Sequence, residues 1–158
     1  MTLKAFFLSS IILLFTVSCQ KSIKAPEIAG VWKLVELSNY DEEGNRSQPF
    51  GDPPAGYFIY TPEGYMSVQI MRTPPMPRLT GRPNDSIRAA MAKGSLTYFG
   101  TYSVDEVNGI VTHEVEGALN PNYVDTNRDR AYRISGDSLI IAIEQDQRRF
   151  RRVLLRVE

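Results

Sequence analysis

The chain has 158 residues, of which 42% are hydrophobic and 23% charged, a composition that fits one globular domain and excludes a mainly disordered chain. Lys plus Arg and Asp plus Glu both total 18, and zero net charge argues against a nucleic-acid binder that must neutralise many phosphates. After the first apolar stretch, no second one is long enough to cross a bilayer as a helix.

The N-terminus reads as an address. Lys4 precedes a weakly polar and apolar run from Ala5 to Val17, closed by Ser18 and Cys19. That run is shorter than the ~20 residues of a membrane-spanning helix and has the anatomy of a signal peptide. Cys19 is the only cysteine, so no disulfide can form within the chain. Thr16-Val17-Ser18-Cys19 resembles the bacterial lipobox, with Thr16 where that motif usually has Leu. The resemblance implies cleavage before Cys19 and acylation of its thiol by palmitate-like chains. Each buried methylene contributes about 0.8 kcal/mol, so a multiply acylated cysteine holds a protein on a membrane. Gln20, where Asp would favour inner-membrane retention, points to the outer membrane of a bacterial cell envelope. The expected organisation is a lipoprotein signal peptide over 1–18, the lipidated cysteine and a tether over 19–27, and one domain over 28–158.

Behind the tether, eight strand signals are separated by turn chemistry, at about 30–38, 56–61, 64–71, 97–104, 109–117, 129–135, 138–144 and 149–157. In the first hairpin, taking Thr61-Pro62-Glu63-Gly64 as the loop pairs Tyr60 with Tyr65 and puts Tyr57, Ile59, Met66, Val68 and Ile70 on one face. Arg72 to Pro83 is too rich in proline for a strand. Asp85 to Ala92 reads as a short helix capped by Asn84 or Asp85 and stopped by Gly94. Arg72 to Gly94 is therefore expected to form a lid or crossover at one end of the fold. In the second hairpin, a Glu106–Gly109 turn sets Val104 opposite Val111 and Tyr102 opposite His113. Thr101, Ser103, Thr112, Glu114 and Glu116 then fall together on the polar face, and a slip of one residue would scramble that separation. A tight turn at Gly136-Asp137 pairs Ile134 with Leu139, Tyr132 with Ile141 and Arg130 with Ile143. Eight mostly antiparallel strands with one apolar face predict an all-β, up-and-down barrel with one short helix, with a sandwich as the alternative.

Gly30-Val31-Trp32 at the start of the first strand resembles the glycine-any-tryptophan signature of lipocalins. The stretch from Gly56 to Arg72 is similar to the bacterial and fungal lipocalin-like domain family, and Tyr98–Tyr102 and Val111–Gly117 resemble its later blocks. The resemblance implies an eight-stranded calyx that holds a small hydrophobic or amphipathic molecule. It carries no catalytic set and no cofactor to these positions.

The pairings turn the candidate ligand-binding residues Tyr57, Tyr102, His113, Arg130 and Tyr132 toward the interior. His113 is the only histidine. Beside Tyr102 it is either a core histidine bonded to that tyrosine or one half of an acid/base pair in an isomerase, cyclase or dehydratase. An inward Arg130 needs an anion, from the protein or from a ligand. Tyr57, Tyr98, Tyr102 and Tyr132 fit a core role as well as a site. Asp125 to Asp129 resembles the start of a calcium loop, but Arg130 occupies the glycine position of that motif and Gly136 the place of its bidentate Glu. The run Arg148, Arg149, Arg151 and Arg152 reads as a charged exterior. One cysteine and one histidine do not make a common zinc site, so no metal is expected. A barrel filled by its own side chains is the third reading, and cavity volume separates it from the others. The sequence leaves the oligomeric state open.

Overall fold

The computed structural model describes residues 26–145 and 148–157. The signal peptide, Cys19 and the tether up to residue 25 lie outside them. Nine strands form a single antiparallel sheet: β1 (Gly30–Tyr40), β2 (Arg46–Ser47), β3 (Ala55–Tyr60), β4 (Tyr65–Met71), β5 (Ser95–Asp105), β6 (Ile110–Ala118), β7 (Thr126–Ser135), β8 (Ser138–Gln145) and β9 (Arg148–Arg156). β1 also pairs with β9, so the eight long strands close into a barrel and β2 is a two-residue ribbon on the end of β1. Closure removes the sheet edges that an open sheet would expose.

Side chains alternate inward and outward along every long strand, and the inward set is the core: Trp32, Leu34, Leu37, Phe58, Tyr60, Met66, Val68, Ile70, Tyr98, Val111, Leu139, Ile141 and Leu154 are all buried. Two irregularities re-aim the alternation, one between Leu34 and Glu36 and one between Phe99 and Gly100. At Gly100 the backbone of Glu114 comes so close that a Cβ has no room, which is why a glycine stands at that inward position.

The two barrel ends differ. Tight turns join β3 to β4, β5 to β6 and β7 to β8 at one end, and Ile28 and Trp32, both fully buried, plug it. The long connections lie at the other end: residues 41–54, residues 72–94 with helix α1 (Asp85–Lys93), and residues 119–125 with the 3-10 turn at Pro121–Tyr123. Asn84 caps α1, its side chain accepting from Ile87 N at 2.9 Å. The helix buries none of its residues. It borders the opening rather than sealing it, for only Ala92 and Lys93 reach the cavity there.

The second and third hairpins have the expected register, with Tyr102 opposite His113 and Tyr132 opposite Ile141. The first does not. Tyr60 pairs with Met66 and Phe58 with Val68. Gly64 takes φ +94° and its N–H donates to Thr61 O at 3.1 Å, so the loop has three residues and Thr61 faces Tyr65, rather than the four-residue loop expected. The slip turns β3 over: Phe58 and Tyr60 point inward, and Tyr57, expected at the ligand, lies on the outer surface at 45% exposure.

Candidate functional site

His113 sits on β6 inside the barrel with no exposed surface. Its Nε2 lies 2.9 Å from the Tyr60 hydroxyl and its Nδ1 lies 3.0 Å from that of Tyr98. Tyr102, its expected partner, donates its hydroxyl instead to Thr61 O at 2.8 Å. The difference is geometric: residues directly opposite on paired strands project side by side, whereas Tyr60 on β3 and Tyr98 on β5 bring their hydroxyls to the two imidazole nitrogens. Burial above all, with help from Arg130 and Arg128, pushes the His113 pKa down to about 3, so the ring is neutral throughout the physiological range. Burial likewise raises the Tyr98 hydroxyl to about 12 against the opposing pull of Arg130, Arg128 and Arg152.

Next to Tyr98 is a chamber of about 70 Å³ whose walls include Phe58, Ile70, His113, Arg130, Phe150 and Arg152. The arginines enter from two strands. On β7, Arg128 and Arg130 alternate with exposed Asn127, Asp129 and Ala131. On β9, Arg152 points inward between Phe150 and Leu154. Arg130 donates Nη1 to the backbone carbonyl of Asp129 at 2.7 Å. Arg152 donates to Ser38 O at 2.8 Å and Asn39 Oδ1 at 3.0 Å, with its guanidinium carbon 4.3 Å from the centre of the Phe150 ring. Arg128 lies 3.5 Å over the ring of Tyr123, and its buried Nε has no partner among the described residues. Among the described residues the ion pairs are Glu36 with Arg46 and Arg151, and Asp85 with Arg88, so none of these inward arginines meets a carboxylate. Burial is the largest cause lowering the pKa of both Arg130 and Arg152, the latter to about 10. Both remain cations at neutral pH.

Leu96 and Tyr123 line both this chamber and a larger, solvent-open vestibule of about 350 Å³, which also has Phe50, Ala92, Leu119 and Asn120 in its walls. The chamber that carries the Arg130 and Arg152 side chains thus shares part of its wall with a larger, mainly apolar vestibule at the loop-rich end of the barrel.

Of the residues expected at a ligand, His113 and Arg130 do line the chamber. Tyr102 and Tyr132 turn inward but lie toward the plugged end; Tyr132 is raised by burial and then by Glu106, Glu27 and Asp105, groups of that end. Arg152 was expected outside with its neighbours. Of the run, Arg149 and Arg151 point outward, Arg151 reaching Glu36 at 2.7 Å, and the side chain of Arg148 lies outside the described residues. Period-two alternation with Phe150 and Leu154 was the signal for Arg152, and spacing by two from Arg130 the signal for Arg128.

A family model described as a lipocalin-like domain matches residues 29–154. No curated protein sequence matches the chain. Among solved structures, the crystal structure of a mutant of the fluorescent protein UnaG aligns at 13% identity over 82% of this chain and 96% of that one, with a TM-score of 0.39.

Proposed function

The chain belongs to the lipocalin-like domain family, and from that premise we propose that it holds one small amphipathic anion at the open end of its barrel. The acid group sits in the inner chamber against Arg130 and Arg152, and the apolar body lies in the vestibule along Phe50, Leu96 and Leu119. The observation that carries this reading is the set of inward arginines that meet no carboxylate among the described residues. Burying an uncompensated cation is costly, and a ligand anion supplies the negative charge that the described residues do not. A volume of about 70 Å³ suits a carboxylate-sized group, while the remainder of the barrel is filled by its own side chains. Filling alone would not require charged walls.

The acid/base reading loses its footing, because Tyr102 and His113 are each bonded elsewhere and an imidazole with a pKa of about 3 is a weak general base at neutral pH. We also propose that acylated Cys19 tethers the barrel to the outer membrane, which would put the site at a lipid surface; the lipobox-like Thr16–Cys19 supports this.

The test is native mass spectrometry of the protein purified from its own host, followed by extraction. An acidic molecule with an apolar body is expected, retained less by Arg130→Ala. Protein that carries no small molecule and binds octanoate no better than octanol would overturn the reading.

A further inference from the structure

We infer that His113 fixes Tyr98 as a hydrogen-bond donor into the chamber, so that the site selects a proton-free oxyanion, a carboxylate or sulfonate, over a hydrogen phosphate of equal charge. This rests on the chamber being an anion site. A neutral imidazole has one N–H donor and one bare acceptor nitrogen, and both nitrogens of His113 face tyrosine hydroxyls, Tyr60 at Nε2 and Tyr98 at Nδ1. Only two arrangements exist. In one, Tyr98 donates to Nδ1, Nε2–H donates to Tyr60, and the Tyr60 proton must find another acceptor. Tyr60 is 1% exposed and has no second hydrogen-bond partner among the described residues. Its ring packs edge-on against Tyr102 at 5.0 Å, whose hydroxyl is already engaged with Thr61. That arrangement strands a buried donor.

In the other, Tyr60 donates to Nε2, Nδ1–H donates to the Tyr98 oxygen, and the Tyr98 proton points on. Tyr98 lines the chamber with Arg130 and Arg152, so its proton has a destination as soon as an anion is there. With an anion bound no buried group is stranded, and the chain of bonds acquires one direction.

The consequence is an inner end at which Arg130, Arg152 and Tyr98 all present donors. Guanidinium groups have no acceptor, Tyr98 is committed as a donor, and strand carbonyls are used in the barrel ladders. Tyr123, at the boundary with the vestibule, packs edge-on against Tyr98 at 5.9 Å and lies under Arg128. Among the lining side chains only the Tyr123 hydroxyl is left to accept an acidic proton that an anion keeps, and that residue stands at the vestibule boundary. The charged and titratable groups facing this point are Arg128, Arg130, Arg152, Tyr60, Tyr98, Tyr123 and His113, with no described carboxylate among them.

Two measurements test this. As His113 is the only histidine, the ¹⁵N spectrum of its imidazole in the unaltered protein saturated with octanesulfonate reports the tautomer directly; a protonated Nδ1 and a bare Nε2 are expected. Second, octanesulfonate and octyl phosphate are titrated at pH 5, where each carries one negative charge and only the phosphate retains an O–H, its second pKa being about 6. The sulfonate is expected to bind about tenfold tighter. Tyr98→Phe should weaken the sulfonate and narrow that ratio to about twofold. An Nε2–H tautomer, or equal binding of the two anions, overturns the inference and leaves the anion chamber standing. If neither anion binds better than octanol, the chamber reading falls and this inference with it.

Discussion

Arg156 stacks its guanidinium 4.0 Å from the centre of the Trp32 ring and ties the chain that precedes β1 to the barrel floor. Its Nη1 donates to Ala29 O and its Nη2 to Glu27 O, each at 2.9 Å. Trp32 Nε1 in turn donates to Ile28 O at 2.8 Å. One cation–π contact and three hydrogen bonds thus close the end of the barrel opposite the chamber lined by Arg130 and Arg152.

Arg156→Ala should therefore cost stability without touching the site. Its contact with Trp32 and its carbonyl bonds together are worth about 2–3 kcal/mol, towards the lower end because the group is partly exposed. A lowered urea midpoint with unchanged octanoate affinity is the expected result. A large loss of affinity in folded protein would contradict the separation of floor from site.

Arg130→Met should do the reverse. Removing an unpaired inward cation is expected to leave the ligand-free barrel as stable as before or more stable by about 1–2 kcal/mol. Loss of a charge-assisted hydrogen bond worth about 1.5–3 kcal/mol should weaken anion binding roughly tenfold to hundredfold. Thermal unfolding with and without octanoate reads both quantities. A strongly destabilised apo variant would mean that Arg130 has a structural partner instead.

Acid should unfold the protein partly through His113. Its pKa falls from an unfolded value near 6.5 to about 3 in the barrel, so below pH 6.5 the unfolded state binds the extra proton. Its contribution is complete above pH 6.5 and is lost as pH drops toward 3. Over that window the slope is about 1.4 kcal/mol per pH unit. His113→Gln, less stable at pH 7, should lack this component, so urea unfolding at pH 4 and pH 7 should differ less in the variant. Equal slopes would show that His113 titrates normally.

Cys19→Ser should release the protein from the membrane fraction or leave it as an unprocessed precursor, with no change in barrel unfolding because Cys19 lies before the domain. A variant that is still cleaved and membrane-bound would remove the acylation reading.

Helix α1, which buries no residue, should exchange its amide hydrogens faster than β5 or β6 in the ligand-free protein. Protection equal to that of the strands would show that the segment is clamped over the opening.

The sequence by itself determined the elements that depend on local chemistry. Asn84 and Gly94 bracket α1 as expected, and the turns at Glu106–Gly109 and Gly136-Asp137 fix their hairpin registers because polar and apolar residues separate cleanly there. It also put His113 and Arg130 inside. Only the tertiary structure decided the β3–β4 register, since both faces of β3 carry large apolar or aromatic residues and hydrophobicity does not choose between Tyr57 and Phe58. The partners of His113 are 53 and 15 residues away in the chain. Arg130 and Arg152 meet at one chamber only because β7 and β9 flank β8 in a closed barrel. Turn chemistry acts over a few residues, whereas barrel closure sets which side chains face each other across the lumen, and the charged chamber is a product of the second.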